Sequence, residues 1–378
     1  MKIRSKKLII SKEKVPVYDL SMNPENPCFS LKSGIISHNT VPAMSNIRDI
    51  QRSIFDNGIL IHFDYSQAEV RVMAALAKDE QLLQAFGEGK DIHRFVASKV
   101  WDKSEEDVTD SERRFAKQAT FSTLYGKTVE SFAEQFMAGS LQRAQEFFDR
   151  FFSTFPSIKE YIERMHSQVK KNGEVVGLWG DTIIIEFDSE WQSSINAALR
   201  YSQNYPIQQA ASNISGVSLS RVVRWLQQQN FKSRMYGFTH DSGELDSPAK
   251  ETLKLCKELP RIAEKMVIDE WNIPATIDIE LGISGNTYIE LKKLENQKEL
   301  ITENNGIYQL DCKFEGSQIA LEGVCNRFKN VGAKIDYEVT GEEEEFTSYS
   351  EYFTVGRAYS ESIGKKKKKK KGNLSITL

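Results

Sequence analysis

The sequence predicts an α+β fold in which antiparallel strands alternate with long helices. Three observations carry that expectation. Ile59 to Asp64 (ILIHFD) reads as an apolar strand, and Phe238 to Gly243 (FTHDSG) reads as a hairpin with turn residues at its tip. Helical patterns cover 66–78, 111–125, 141–171 and 192–229, the last two interrupted at Pro156 and Pro206.

Taken in order, residues 1–39 carry seven Lys or Arg against three acids. They read as short strands, KKLIIS and VPVYDL, a turn at Asn23-Pro24-Glu25-Asn26-Pro27, and CFSLKSGIIS, which together make a small β unit. Residues 40–294 hold the helices and strands named above. Residues 295–364 form a small α+β extension of unassigned role: strand, helix, strand, a solvated acidic turn at Glu342 to Glu345, then an aromatic strand, EYFTVGRAY. Residues 365–378 are expected to be an extended, solvated tail containing seven lysines, Lys365 to Lys371. Residues 301–364 carry 12 acids and 5 bases, enough to neutralise that run. Exposed ion pairs are worth only about 0–1 kcal/mol, whereas DNA releases counterions, so the lysines are expected to tether DNA.

Composition sets limits. Of 378 residues, 40% are hydrophobic and 10% aromatic, which excludes wholesale disorder. Four cysteines without C-x-x-C spacing exclude a zinc ribbon or a secreted disulfide scaffold, and Cys256, Cys312 and Cys325 are expected to be buried thiols. No window reaches the roughly 20 apolar residues of a membrane span, and the N-terminus lacks a signal-peptide core. The expectation is a soluble cytoplasmic protein without a membrane partner. Net charge is -3, or -10 with the lysine run set aside (43 bases against 53 acids), so any nucleic-acid affinity must come from local arrangement.

Two carboxylates stand out. Asp64 ends its strand at D-Y-S-Q-A-E-V-R, and Asp241 lies in the F-T-H-D-S hairpin. Carboxylates from two strands are what a two-metal phosphoryl-transfer site needs, although a lone Asp at a strand end more often serves a turn. A third piece is Arg113, Lys117, Phe121 and Tyr125, spaced i, i+4 along one helix stripe and followed by Gly126. Cations in line with aromatics suit a phosphate followed by a base, and a core stripe would not carry Arg and Lys.

These segments, in this order, resemble family A DNA polymerases of the DNA polymerase I type: Asp64 to Arg71, Asp91-Ile92-His93, Arg113 to Gly126, Arg200-x3-Asn204-x-Pro206-x-Gln208, and His240-Asp241. The resemblance spans 40–294. It implies a palm built on an antiparallel sheet, helical fingers, and DNA synthesis from dNTPs on primer-template DNA. It further implies that Asp64 and Asp241, helped by the Tyr65 carbonyl, bind two Mg²⁺. Gln67, Glu69, His93, Arg113, Lys117, Phe121 and Tyr125 would meet the nucleotide, and Arg200, Asn204, Gln208 and His240 the DNA. His62 and His166 are left as ordinary surface or core residues.

Two departures bear on this reading. The family usually has His-Asp-Glu where this chain has His240-Asp241-Ser242, a form similar to single-subunit RNA polymerases, so a ribonucleotide enzyme is the nearest rival. Glu69 opposes it, because that position crowds a ribose 2′-hydroxyl in the DNA enzymes. Trp179-Gly180-Asp181 replaces the family's Gly-Arg-rich turn. A catalytically impaired DNA-binding fragment is a third reading, against which both aspartates stand.

The 63 residues ahead of Asp64 are too few for a thumb or an exonuclease-like domain, so a separate N-terminal half is expected. Val17-Tyr18-Asp19-Leu20, Phe29, Gly34 and His38-Asn39-Thr40 resemble the C-terminal fragment of a split intein, with Pro27-Cys28 replacing a customary histidine. Such a fragment would splice at Asn39/Thr40: Asn39 cyclises, His38 assists, and the Thr40 hydroxyl takes the acyl group. The N-terminal half carrying the matching N-intein is the implied partner.

Overall fold

The computed structural model describes residues 51–239, 241–285, 287–294, 297, 299–346 and 366–378, together with the backbone of four short strands ahead of them. Those strands are β1 (Ser5–Ile10), β2 (Pro16–Ser21), β3 (Cys28–Ser30) and β4 (Ile36–His38), joined as antiparallel pairs β1–β2 and β3–β4. The strand β5 (Gly58–Tyr65) then leads into α1 (Ala68–Ala77), α2 (Glu80–Gly87), α3 (Ile92–Trp101), α4 (Asp110–Leu124), α5 (Val129–Phe136), α6 (Leu141–Thr154) and α7 (Pro156–Asn172). A short ribbon, β6 (Glu174–Val176) with β7 (Thr182–Ile184), precedes α8 (Gln192–Gln228). After it come β8 (Arg234–Thr239), β9 (Ser242–Pro248), α9 (Ala249–Trp271), β10 (Ile277–Ser284) and β11 (Thr287–Lys293). The last elements are β12 (Ile301–Asn304), β13 (Ile307–Gly316), α10 (Gln318–Lys329), β14 (Lys334–Phe346) and β15 (Lys366–Thr377).

Side chains that satisfy orphan amides start these helices. Asp79, Asp91, Thr128, Ser140 and Ser317 each accept from backbone amides in the first turn, and Thr109 with Glu112 forms a reciprocal capping box on α4. Pro156 opens α7, where its missing amide costs nothing. Pro206, in contrast, lies inside an unbroken α8, so the interruption expected there does not occur.

The chain divides into two compact units: residues 1–64, 218–263 and 277–378, and residues 65–217 and 264–276. The first is built on a nine-stranded sheet with strand order β14-β15-β13-β11-β10-β5-β9-β8 and β12 paired on β13. Alternate residues of its strands are buried, among them Ile59, Ile61 and Phe63, Ile279 and Leu281, Leu310, Cys312 and Phe314, and Leu374 and Ile376. The helix α10 lies over β10, β11, β14 and β15, burying Ala320, Leu321, Val324, Cys325 and Phe328. Cys256, Cys312 and Cys325 are free and buried, as expected.

The C-terminal region corrects the sequence reading. Residues 366–377 are an interior strand between β13 and β14, not a solvated tail, and the acidic run is part of β14, not a turn. The reason is register: Glu342, Glu343, Glu344 and Glu345 stand opposite Lys370, Lys369, Lys368 and Lys367. Opposite charges directly across an antiparallel ladder favour such a pairing. Lys370 Nζ lies 2.9 Å from Glu342, while Lys369 and Lys371 reach Glu315 at 3.5 and 3.9 Å. Three of the seven lysines thus stand beside carboxylates of the chain itself. The aromatic segment EYFTVGRAY lies outside the described residues.

The second unit is helical, and phenylalanines hold its core. Phe132 is fully buried, stacked on Phe147 at 5.4 Å and edge-on to Phe115 and Phe148. Truncating such a ring loses its transfer energy and leaves a cavity. Phe132→Ala is expected to lower stability by about 3–5 kcal/mol in chemical denaturation. A loss below about 1 kcal/mol would mean that the cluster collapses around the gap.

Candidate active site

The two aspartates come together because β5, β8 and β9 pair in register. Asp64 on β5 lies opposite Ser242, and His62 opposite Glu244. Thr239 on β8 pairs with Ser242 on β9, so Asp241 stands at the turn of the β8–β9 hairpin, one residue from the position facing Asp64. His240 itself lies outside the described residues. Gly243 has to be small here: a Cβ on it would come within 2.6 Å of both Phe63 and Leu219.

Charge accumulates around Asp64. Its carboxyl is pushed up to about 6, chiefly by burial and further by Asp278, Asp241 and Glu280, while His62 pulls it down. His62 Nδ1 lies 3.4 Å from Glu280. Burial depresses the imidazole pKa, but Glu280, Asp64 and Glu244 outweigh that and raise it. Among the described residues, no group of three or more His, Cys, Asp or Glu side chains is arranged as a metal cage. A partly buried carboxylate whose ionisation is opposed by neighbouring acids nonetheless has the chemistry that a divalent cation relieves, so Asp64 with Asp241 fits Mg²⁺. Tyr65 ends β5 with its side chain buried.

Sequence reasoning missed His62, Glu244, Asp278 and Glu280. A signal for the last two was present: in Ile277-Asp278-Ile279-Glu280-Leu281 the period of two puts both acids on one face of β10.

In the second unit, the other residues singled out from the sequence lie on α1, α3, α4 and the part of α8 before residue 218. Gln67 precedes α1 in a left-handed conformation (φ 56°), and Glu69 lies in its first turn. Asp91 caps α3 and accepts a hydrogen bond from Arg113 Nε at 2.6 Å, which fixes the first cation of the α4 stripe. His93 is 2% exposed, with neither ring nitrogen hydrogen-bonded. Burial pushes its pKa to about 4, and Lys117 and Arg113 lower it further against Asp91, so the ring is neutral. Its ring centroid lies 6.3 Å from that of Phe121. Lys117 is exposed and Phe121 half-buried.

Tyr125, at the end of α4, donates its hydroxyl to Glu69 Oε2 at 2.7 Å. Burial and then Glu69 push the phenol up to about 12, with Gln208 opposing, so the pair is a neutral donor on a carboxylate. Arg200 and Gln208 are exposed on α8 and Asn204 half-buried. Gln203, which the sequence did not single out, donates to the Thr123 and Leu124 carbonyls at 2.9 and 3.1 Å, closing the end of α4. Tyr161 and His166 in turn hold Gln203. Gly126 has φ +66°, and a Cβ there would stand 2.9 Å from Arg200 Cγ. The helix α4 is thus tied at both ends, by its capping box and by Gln203.

The description of DNA polymerase family A matches residues 36–287. The chain belongs to DNA polymerase family A. Within that family it is 31% identical over 220 residues to DNA polymerase I of Geobacillus stearothermophilus, and 32% over 225 residues to that of Pseudomonas aeruginosa. These alignments cover 58% and 59% of this chain but only 25% and 24% of the relatives, so it spans about a quarter of their length. DNA polymerase I of Aquifex aeolicus aligns at 30% identity over 63% of this chain and 41% of its own. Among solved structures, the POL domain of Pol1 from M. smegmatis, in complex with DNA primer-template and dNTP, superposes with a TM-score of 0.60 at 25% identity, covering 67% of this chain and 46% of that one. No helix among the described residues is long and apolar enough to cross a membrane. Of the splicing residues, His38 ends β4 with its side chain outside the described residues, and Asn39 and Thr40 lie outside them altogether.

Proposed function

We propose that this chain is the palm and fingers part of a DNA-directed DNA polymerase, extending a primer 3′-end with deoxynucleotides. The observation that carries the reading is the register that puts Asp64 and Asp241 at adjacent strand ends, within a family A sequence. Two Mg²⁺ held by Asp64, Asp241 and the Tyr65 carbonyl would supply Lewis acidity at the primer hydroxyl and the leaving pyrophosphate. Arg113 and Lys117 bind the triphosphate, with neutral His93 as a hydrogen-bond partner, while Phe121 and Tyr125 meet base and sugar. Gln67 positions the nucleotide, and Glu69, held by the Tyr125 hydroxyl, crowds the 2′ position. Arg200, Asn204, Gln208 and His240 follow the primer-template. Primer extension by this chain with its N-terminal half, with and without Mg²⁺, tests the reading; absence of metal-dependent extension overturns it.

Residues 1–39 act, in the same proposal, as the C-terminal fragment of a split intein, residues 40–294 as the polymerase part, and residues 295–378 as an addition to the palm sheet. The motif His38-Asn39-Thr40 motivates the first assignment. Mixed with a cognate N-terminal half, the chain should lose about 4 kDa, since 39 residues are removed, while a larger ligated polypeptide appears. Asn39→Ala should block release of the fragment. Two unligated wild-type chains in mass spectrometry would remove the splicing assignment and leave the polymerase reading untouched.

A further inference from the structure

The helix α8 has an unusual charge pattern. Its 37 residues include Arg200, Arg221 and Arg224 but no Asp or Glu, in a chain with 53 acids among 378 residues. On it, Tyr201 and Tyr205 stack with ring centroids 4.9 Å apart and planes 13° from parallel. Both rings stay in solvent, 44% and 38% exposed. An i, i+4 ring pair on a helix needs no such exposure to form, and large aromatic faces left open to solvent are costly unless something covers them. Each tyrosine follows a residue of the Arg200, Asn204 stripe, about 100° round the helix from it.

We propose that the Tyr201–Tyr205 pair is a stacking platform for unpaired bases of a single-stranded DNA template. Three properties select that occupant. Parallel exposed rings present a flat π-face, which every nucleobase matches irrespective of sequence. The absence of acids on α8 removes the repulsion that a phosphate backbone would otherwise meet from this helix, and Arg200, the residue before Tyr201, supplies a cation on it. A paired duplex hides its base faces, so the platform serves the unpaired strand, whereas Arg200, Asn204 and Gln208 are assigned above to the primer-template. The assignment rests on the polymerase reading, but it concerns binding alone and needs neither metal nor nucleotide.

The test measures binding of the full chain to a fluorescent oligothymidine of about twelve nucleotides by anisotropy, in EDTA and without dNTPs. A Tyr201→Ala/Tyr205→Ala protein is expected to bind about tenfold more weakly, while Tyr201→Phe/Tyr205→Phe stays within about twofold, because stacking needs the ring and not the hydroxyl. The slope of log affinity against log salt should be the same for all three, since no charge changes. On an abasic oligonucleotide of equal length the three proteins should bind alike. Wild-type affinity in the alanine protein overturns the proposal, as does an equal alanine loss on the abasic strand, which would assign the effect to the backbone or to folding. A phenylalanine protein as weak as the alanine one would overturn it too, by assigning the effect to the hydroxyls. Because extension is measured separately in Mg²⁺, loss of the polymerase reading would leave this binding result standing, and the reverse.

Discussion

Asp64→Asn and Asp241→Asn proteins are expected to remain folded and to lose primer extension by about a thousandfold or more, equivalent to about 4 kcal/mol of transition-state stabilisation. An amide keeps the size of the side chain but presents no charge to a divalent cation, so metal affinity and charge stabilisation fall together. The Asp64 change carries a second signature. Its folded pKa, about 6, lies above the usual carboxylate value because burial and Asp278, Asp241 and Glu280 oppose ionisation. Ionised Asp64 therefore costs folding energy. That cost is absent below the unfolded pKa of about 4 and complete once pH exceeds about 6. Without metal, Asp64→Asn should thus stabilise the protein above pH 6 by about 1–2 kcal/mol, a value discounted for partial exposure, and by nothing near pH 3. Urea unfolding in EDTA at the two pH values reads this directly. Retained extension by the Asp241→Asn protein would take that residue out of the metal site.

Sugar choice gives the second large effect. Glu69 is held by the Tyr125 hydroxyl at 2.7 Å, so it cannot rotate away without breaking a charge-assisted hydrogen bond. In the proposed nucleotide site, a carboxylate fixed beside C2′ would leave no space for a hydroxyl. Relieving overpacking of that kind is worth about 1–3 kcal/mol, so Glu69→Ala should raise ribonucleotide incorporation relative to deoxynucleotide by roughly 10- to 100-fold. Tyr125→Phe, which frees the carboxylate but keeps its bulk, should produce a smaller change in the same direction. Competing single-nucleotide incorporation of rNTP and dNTP measures both. Equal use of the two sugars by the wild type would favour the RNA-polymerase-like reading that Ser242 raises.

Local rules made much of this legible in the sequence. The i, i+4 ladder from Arg113 to Tyr125 lies on one helix because helical spacing alone sets it, and the β8–β9 hairpin was visible in its turn residues. What escaped notice depends on cross-strand register. That Asp278 and Glu280 crowd Asp64 follows from β10 joining the sheet next to β5, some 210 residues away in sequence, which no local pattern encodes. Gln203 was missed for a similar reason, as its amide acts on carbonyls 79 and 80 residues earlier. The strand placement of the lysine run was missed because seven like charges read as soluble and extended when taken alone, whereas the strand is set by cross-strand register with β13 and β14.

That strand also constrains the order of assembly. During synthesis, β13 and β14 leave the ribosome before β15, yet β15 lies between them and bonds to both. The strand β13 can already pair with β11 and β12, but β14 has no final neighbour in the sheet until β15 is translated. Pairing β14 directly against β13 is the available wrong register, and there the acids of β14 would meet β13, which carries Asp311 and Glu315 against a single Lys313. Like charge thus discourages the premature pairing, while the lysines arriving last make the correct insertion electrostatically favourable. The opposed runs are thereby suited to keep a place in the sheet open for β15.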